Sequence, residues 1–289
     1  MERVLALIVI GILTGGVYGL LAMGLSLQIG VCRVLNITHG EFVMLGAAIT
    51  FSFSLLGINP LLAPVIIGPL MFGLGFLFQR TLYKSLKARA PSPAAFEGNA
   101  LLAAFGLMYI VQYVSRLRWG VWLLPTQYLI KGLPFPGINL QINQIVAFAV
   151  AAALGIAVHL FLNRSRLGRA IRATAEDPGT AGLMGVNTDM MLAICFGLGA
   201  LLAGVAGTLV SMKTQVTTGI GFGNTVIALI VVTLGGLGSV PGSFIAGIII
   251  GIVTMLVAGT LEPVLTVPIY YAMLMVLLLA RPSGLLGKK

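Results

Sequence analysis

Few side chains in this sequence could do chemistry, and one short stretch holds most of them. Arg33-Val34-Leu35-Asn36-Ile37-Thr38-His39-Gly40-Glu41-Phe42 carries an imidazole and a carboxylate two residues apart. On a helix that spacing turns His39 and Glu41 to different faces, so it does not make an acid–base pair. Neither His39 nor His159 has a second histidine, cysteine or carboxylate at zinc spacing on both sides. Cys32 and Cys195 stand in apolar surroundings without metal-ligand spacing, the pattern of packed core thiols. A Gly-x-Ser-x-Gly nucleophile elbow is missing. The one Gly-Lys pair, Gly287-Lys288, is followed only by Lys289, so there is no phosphate-cradling loop. Covalent catalysis, nucleotide binding, a metal and a cofactor are therefore not expected of this chain.

The elements that must position the polar stretch are apolar throughout. Of 289 residues, 58% are hydrophobic and 8% charged, with 17 Lys or Arg against 7 Asp or Glu; a soluble domain is about 25% charged. Mean hydropathy is +1.08. These values exclude a water-soluble globule and a disordered chain, and the 38 glycines follow no Gly-X-Y period. The net charge of +10 belongs to bases at a membrane surface and implies no nucleic acid.

Uncharged runs cover residues 4–32, 42–79, 98–115, 132–163, 190–212, 214–261 and 263–280. A spanning helix needs about 20 apolar residues. The second run breaks at Gly57-Ile58-Asn59-Pro60, giving a short helix to Leu56 and a span from Leu61 to Gln79. The fourth opens on a loop with Pro134, Pro136 and Gly137, leaving Ile142–Leu162 to span. Gly235-Gly236-Leu237-Gly238-Ser239-Val240-Pro241-Gly242 divides the sixth. The expected fold is an all-α polytopic integral membrane protein. It has eight or nine transmembrane segments, with broken or re-entrant helices and a short capped cytoplasmic helix, in one domain over 1–289. The first run is too long for a signal-peptide core.

Basic loops orient the chain. Loop 80–97 (Arg80, Lys84, Lys87, Arg89), loop 163–189 (Arg164, Arg166, Arg169, Arg172), Arg33 and the tail (Arg281, Lys288, Lys289) fall on one side. Arg3, Arg116, Arg118, Lys131 and Lys213 fall on the other. The richer side is cytoplasmic, which puts the N-terminus outside and the C-terminus inside.

Three places depart from a plain bundle. The apolar stretch Phe42–Leu56 covers only about 22 Å at 1.5 Å per residue, so its helix is expected to begin earlier. That start draws Asn36, Thr38, His39 and Glu41 toward the membrane. These four line a solute path, or else Asn36 or Thr38 merely caps the next helix. In the loop 163–189, Leu167, Ile171 and Thr174 recur at helical spacing opposite Arg169, Arg172 and Glu176. Asp177-Pro178 then starts a second, short helix that carries Ala181, Leu183 and Met184 and stops at Gly185. This knob either docks into a partner's groove or lies on lipid. Finally, Gly40-x-Phe42 and Gly242-x-Phe244 each precede a glycine-spaced helix. Paired interrupted helices mark transport sites in repeat-built transporters, though two matched residues in so glycine-rich a chain do not establish a repeat.

At these places the sequence resembles the bacterial branched-chain amino acid ABC transporter permeases of the LivH type. The resemblance rests on Gly24-Leu25-Ser26-Leu27, Gly30, Arg33-Val34-Leu35-Asn36, His39-Gly40-Glu41-Phe42 and Gly46. It continues in Gly168-Arg169-Ala170-Ile171-Arg172-Ala173, Asp177, Ala181 and Met184-Gly185-Val186. The segment 235–242 and the ending Arg281-Pro282-Ser283-Gly284-Leu285-Leu286-Gly287 complete it.

The resemblance implies a non-enzymatic permease subunit of the bacterial inner membrane. Its implied partners are a homologous LivM-type permease, two cytoplasmic ATPase subunits and an extracytoplasmic substrate-binding protein. It implies import of Leu, Ile or Val, related permeases carrying other amino acids, amides or urea. It also makes 169–185, with Arg169, Arg172, Asp177, Ala181 and Gly185, the segment that couples to the ATPase. Two other classes remain open on the residues alone. One is an ion-coupled secondary transporter using Glu41 or His39; the other is an assembly subunit with no path of its own.

Overall fold

The computed structural model of the chain describes residues 2–123, 126, 128–135, 138–261, 263–280 and 284–287. The first span is α1, Glu2–Leu27, prolonged by a wider π-type turn at Gln28–Cys32. It ends where Arg33 adopts a left-handed φ of 52°. After an unwound link comes α2, His39–Leu55, closed by Gly57 at φ 75°. Next is α3, Ala63–Phe78, which carries Pro64 in its first turn, where a missing N–H costs nothing.

The basic stretch expected as a loop from residue 80 is helical instead. A π-type turn, Gln79–Tyr83, joins α3 to α4, Lys84–Arg89, without interruption. The physical reason is composition, since no Gly or Pro occurs from residue 79 to Pro91 and Lys, Arg, Leu and Gln all favour helix. The true connection is short, and Ser92 caps α5, Pro93–Trp119, by accepting from Ala95 N–H at 3.2 Å.

The segment after α5 departs from the all-helical expectation. Two-residue β1, Trp122–Leu123, pairs with β4, Val216–Thr217, while β2, Gly132–Phe135, and β3, Ile138–Gln141, form an antiparallel ribbon. The loop expected around Pro134 is thus a hairpin; Pro136 and Gly137 lie outside the described residues, as do Arg281, Pro282, Ser283, Lys288 and Lys289 of the tail. The chain continues as α6 (Ile142–Arg164), α7 (Arg166–Glu176), α8 (Pro178–Leu183) and α9 (Thr188–Ser211). It ends with α10 (Ile220–Gly235), α11 (Val240–Thr260) and α12 (Thr266–Ala280). The glycine-rich break at 235–242 falls where the sequence places it.

Six helices are long and apolar enough to cross a membrane, at 2–32, 63–89, 93–119, 142–164, 188–211 and 240–260. Three shorter apolar helices lie at 39–55, 220–235 and 266–276. The protein is an all-α, multi-pass membrane protein. Of the six long helices α9 is the most enclosed, with 78% of its apolar window buried against 22% for α5, so α9 forms the centre and α5 the periphery.

Small residues let α1 and α11 touch backbone to backbone. A Cβ on Gly247 would lie 2.3 Å from Gly19 N, and one on Gly251 would lie 2.4 Å from Gly11 O. The same device joins α2 to α9, where a Cβ on Gly46 would meet Gly204 O at 2.1 Å and one on Gly207 would meet Val43 O at 1.9 Å. Lipid tails are as apolar as leucine, so helices in a bilayer associate through such close packing. Replacing Gly247 with leucine is predicted to force α1 and α11 apart, at a cost of about 3 kcal/mol. Thermal unfolding of the purified variant in detergent, read by loss of monodispersity, measures it.

Candidate functional site

The polar stretch folds into a sealed knot around the link between α1 and α2. Asn36, Thr38, His39 and Glu41 are all buried. Asn36 Nδ2 donates to Gln28 Oε1 at 3.1 Å, and Gln28 Nε2 donates to Phe196 O at 3.3 Å. Asn36 Oδ1 accepts from Thr38 N–H at 3.1 Å, and Tyr83 OH donates to it at 3.4 Å. Thr38 stands at the N-cap position of α2, but its hydroxyl makes no cap bond and donates instead to Ala104 O at 2.8 Å on α5. Thr225 of α10 closes the knot, accepting from Gly40 N–H at 2.8 Å and donating to Ile37 O at 2.8 Å. Non-helical backbone at membrane depth survives only where protein satisfies it in this way.

His39 Nε2 donates to Leu21 O at 3.0 Å, and the imidazole occupies space left by Gly24, whose Cβ would lie 3.0 Å from His39 Cε1. His39 Nδ1 and both Glu41 oxygens are buried without a hydrogen-bond partner. The Glu41 carboxyl fills a notch on α10, where a Cβ on Gly221 would fall 2.1 Å from Oε1. The structure therefore brings all four residues together as a packed core rather than as the wall of an open cavity.

The expected coupling segment forms two capped helices. Ser165 accepts from Gly168 N–H at 2.8 Å and starts α7, whose Ile171 and Thr174 are buried as the spacing requires. Leu167, assigned to the same apolar face, is 46% exposed. The Arg172 guanidinium donates to Leu162 O and to Asn163 Oδ1 at 3.3 Å, tying α7 back to the end of α6.

Asp177 is the N-cap of α8, accepting from Gly179 N–H at 2.8 Å and from the Thr180 hydroxyl. These donors, Thr180 foremost, hold its carboxyl below the usual carboxylate range. At the other end Gly185 has φ 82°, its N–H bonds Gly182 O at 3.0 Å, and Val186 N–H bonds Ala181 O at 3.1 Å. That pair of bonds is a Schellman motif. Ala181 is buried and positions α8, while Leu183 and Met184 stand 88% and 81% exposed. Lys84 of α4 pairs with Asp189 of α9 at 2.8 Å beside this segment.

A cavity of about 390 Å³ lies elsewhere, between α1, α6, α9, α10 and α11. Thr14, Tyr18, Asn143, Gln144, Lys213, Thr214 and Asn224 contribute its polar lining. Sequence reasoning used Lys213 only to orient the chain and passed over Asn143, Gln144 and Asn224, although Asn143-Gln144 opening an apolar span was visible.

Thr225 tests the knot. Thr225→Val keeps the shape but strands Gly40 N–H and Ile37 C=O, and is predicted to cost about 1–3 kcal/mol. Thr225→Ser should retain most of that stability, and thermal denaturation in detergent compares the two.

Comparison with known proteins gives the chain its relatives. Residues 7–280 match the family described as branched-chain amino acid transport system / permease component. The chain is 31% identical to the high-affinity branched-chain amino acid transport system permease protein BraD of Pseudomonas aeruginosa, over 96% of this chain and 94% of that protein. It is also 31% identical, with the same coverage, to the permease protein LivH of Escherichia coli. A probable LivH permease of Methanocaldococcus jannaschii is 27% identical over 81% of this chain and 74% of that protein. No solved structure matches. With the match running from the first span to the last, the chain belongs to the family of permease components of branched-chain amino acid transport systems.

Proposed function

We propose that this chain is a membrane-spanning subunit of an ATP-driven importer of branched-chain amino acids. The observation that carries the reading is the family match over residues 7–280, together with relatives named as permease proteins of such systems across nearly their whole length. A second, homologous permease subunit, two cytoplasmic ATPases and an extracytoplasmic binding protein complete the transporter. The N-terminus lies outside and the tail inside the cytoplasmic membrane, a reading supported by the placement of the bases.

In this reading α8 is the coupling helix. Arg169 and Arg172 flank it on α7, Asp177 and Gly185 fix its ends, Ala181 seats it, and Leu183 with Met184 enters a groove on the ATPase. The knot at Asn36, Thr38, His39 and Glu41 borders the substrate path between this chain and its homologous partner. It is closed here, tied to α10 through Thr225. A second reading draws on the unpartnered Glu41 carboxyl, the kind of group that a proton-coupled transporter protonates in turn. Uptake into vesicles driven by an ion gradient without ATP would favour that reading.

Two variants test the coupling assignment in proteoliposomes containing the full transporter. Leu183→Asp with Met184→Asp is predicted to lower ATP-driven leucine uptake at least tenfold, the scale for charging a docking hot spot. The melting temperature of this chain should not change, because both side chains are exposed. Gly185→Arg, which puts a bulky residue at positive φ in open space, should uncouple hydrolysis from uptake while the protein stays in the membrane. Normal transport by either variant would show that α8 is not the coupling helix.

A further inference from the structure

A second cavity, of about 360 Å³, has side chains of both charges on its wall. It lies where α5 begins, at the opposite end of that long helix from β1. Its polar side chains are Arg33, Lys87, Ser92 and Glu97, all of them exposed and so within reach of an entering solute. Arg33, Lys87 and Glu97 make no ion pair or side-chain hydrogen bond among the described residues. Val31, Pro91, Pro93 and Pro178, none of them buried, add an apolar surface, with Phe96 and Leu192 behind. A concave space of this size, mostly apolar and with a few polar groups, has the character of a small-molecule site.

Four segments build it. The end of α1 brings Val31 and Arg33, and the left-handed turn at Arg33 starts the link that carries Asn36 three residues on. The corner between α4 and α5 brings Lys87 and Glu97. Pro178 is the first residue of α8, and Leu192 belongs to α9. The charges on the wall select the occupant. A simple anion meets the Glu97 carboxylate, and a simple cation meets two bases. A molecule that carries an ammonium, a carboxylate and an apolar group has a part for each kind of lining, and an α-amino acid with an aliphatic side chain is such a molecule.

Building on the function proposed above, we propose that this cavity is a control site on the cytoplasmic side, which rebinds the imported amino acid and slows the next transport cycle. Arg33 and Lys87 hold the carboxylate, Glu97 receives the ammonium, and Val31 and the prolines meet the side chain. The control follows from the position of the site. An occupant touches the end of α1, the corner before α5 and the start of α8 at once, and in the reading above α8 follows the ATPase. A ligand that fits one arrangement of these segments better than another holds the protein in that arrangement. Arg33 also acts on the cap of α8, since after Thr180 and Gly179 its charge helps to hold the Asp177 carboxyl below the usual range. A carboxylate bound to Arg33 offsets that charge.

The test uses the complete transporter in nanodiscs of phosphatidylethanolamine and phosphatidylglycerol. Ala90 lines the cavity and is half-buried, so Ala90→Cys is a reporter that adds one sulfur, and Pro91→Cys on the same corner is an exposed second reporter. The native Cys32 and Cys195 are buried, and the unsubstituted complex gives their background. With the binding protein omitted, leucine should slow maleimide labelling of both reporters. Leucinamide, lacking the carboxylate, and 4-methylpentanoate, lacking the ammonium, should not do so at the same concentration. Lys87→Gln and Glu97→Gln should each weaken leucine protection about tenfold, as expected for loss of one charge-assisted contact, and Lys87→Arg should restore part of it. With binding protein already saturated by leucine, further free leucine should slow ATP hydrolysis by roughly half or more. Both glutamine variants should hydrolyse ATP at the unsubstituted rate and escape this slowing. Slowing that persists unchanged in both variants puts the effect in the transport path and overturns the assignment. Protection by inorganic phosphate as good as that by leucine, or protection that depends on phosphatidylglycerol rather than on leucine, identifies an anion or lipid site and overturns it equally. If the complex imports leucine with ATP but leucine changes neither labelling nor hydrolysis, the control site is refuted and the functional reading stands. A complex that imports no aliphatic amino acid refutes the functional reading, and this inference with it.

Discussion

The close approach of helix backbones over glycine is the contact on which the rest of the protein depends. In a bilayer no hydrophobic force pulls apolar helices together, and dispersion over short distances must do so. Gly11, Gly15 and Gly19 on α1 meet Gly247 and Gly251 on α11, and Gly46 on α2 meets Gly204 on α9. Because α1 and α9 are held at backbone distance from their neighbours, the two ends of the broken α1–α2 pair have fixed positions. The six-residue link between them then lies within reach of α5 and α10. Without those seams, Thr225 and Ala104 would not stand where the link needs partners.

The link shows how a membrane protein accommodates irregular backbone. Its polar groups are satisfied by side chains and carbonyls of three other helices, and so the break is permanent rather than frayed. Two groups stay outside this settlement, His39 Nδ1 and the Glu41 carboxyl. In contrast, the cavity near the β-ribbons encloses a space of about 390 Å³ between five helices. One cluster fixes the architecture, and the other has capacity left over.

Much of this was legible in the sequence. The uncharged runs give the helices, because a span must be apolar all round, and the breaks at 57–60 and 235–242 follow from Gly and Pro. Asp177-Pro178 and Gly185 predict the ends of α8 because capping is local chemistry. The misreadings share a cause. Charge was taken as the end of a helix at residue 80, whereas a helix leaving the membrane need only become polar, and α3 continues as α4. The hairpin at 132–141 was missed because its pairing partner was separated by prolines that read as a loop. What Asn36 and Glu41 touch depends on residues as distant as Phe196 and Gly221, and no local pattern reports that. Nor could spacing gather Asn143, Lys213 and Asn224, which only the packing of five helices brings around one space.

The double capping of α8 has a thermodynamic consequence. An isolated helix of six residues does not persist in water, because nucleation costs more than one turn returns. Here Asp177 and the Gly185 turn supply the bonds that such a short piece lacks. Whatever meets it finds capped backbone, and association orders two exposed side chains, Leu183 and Met184. A contact made on such a helix carries no backbone-ordering cost.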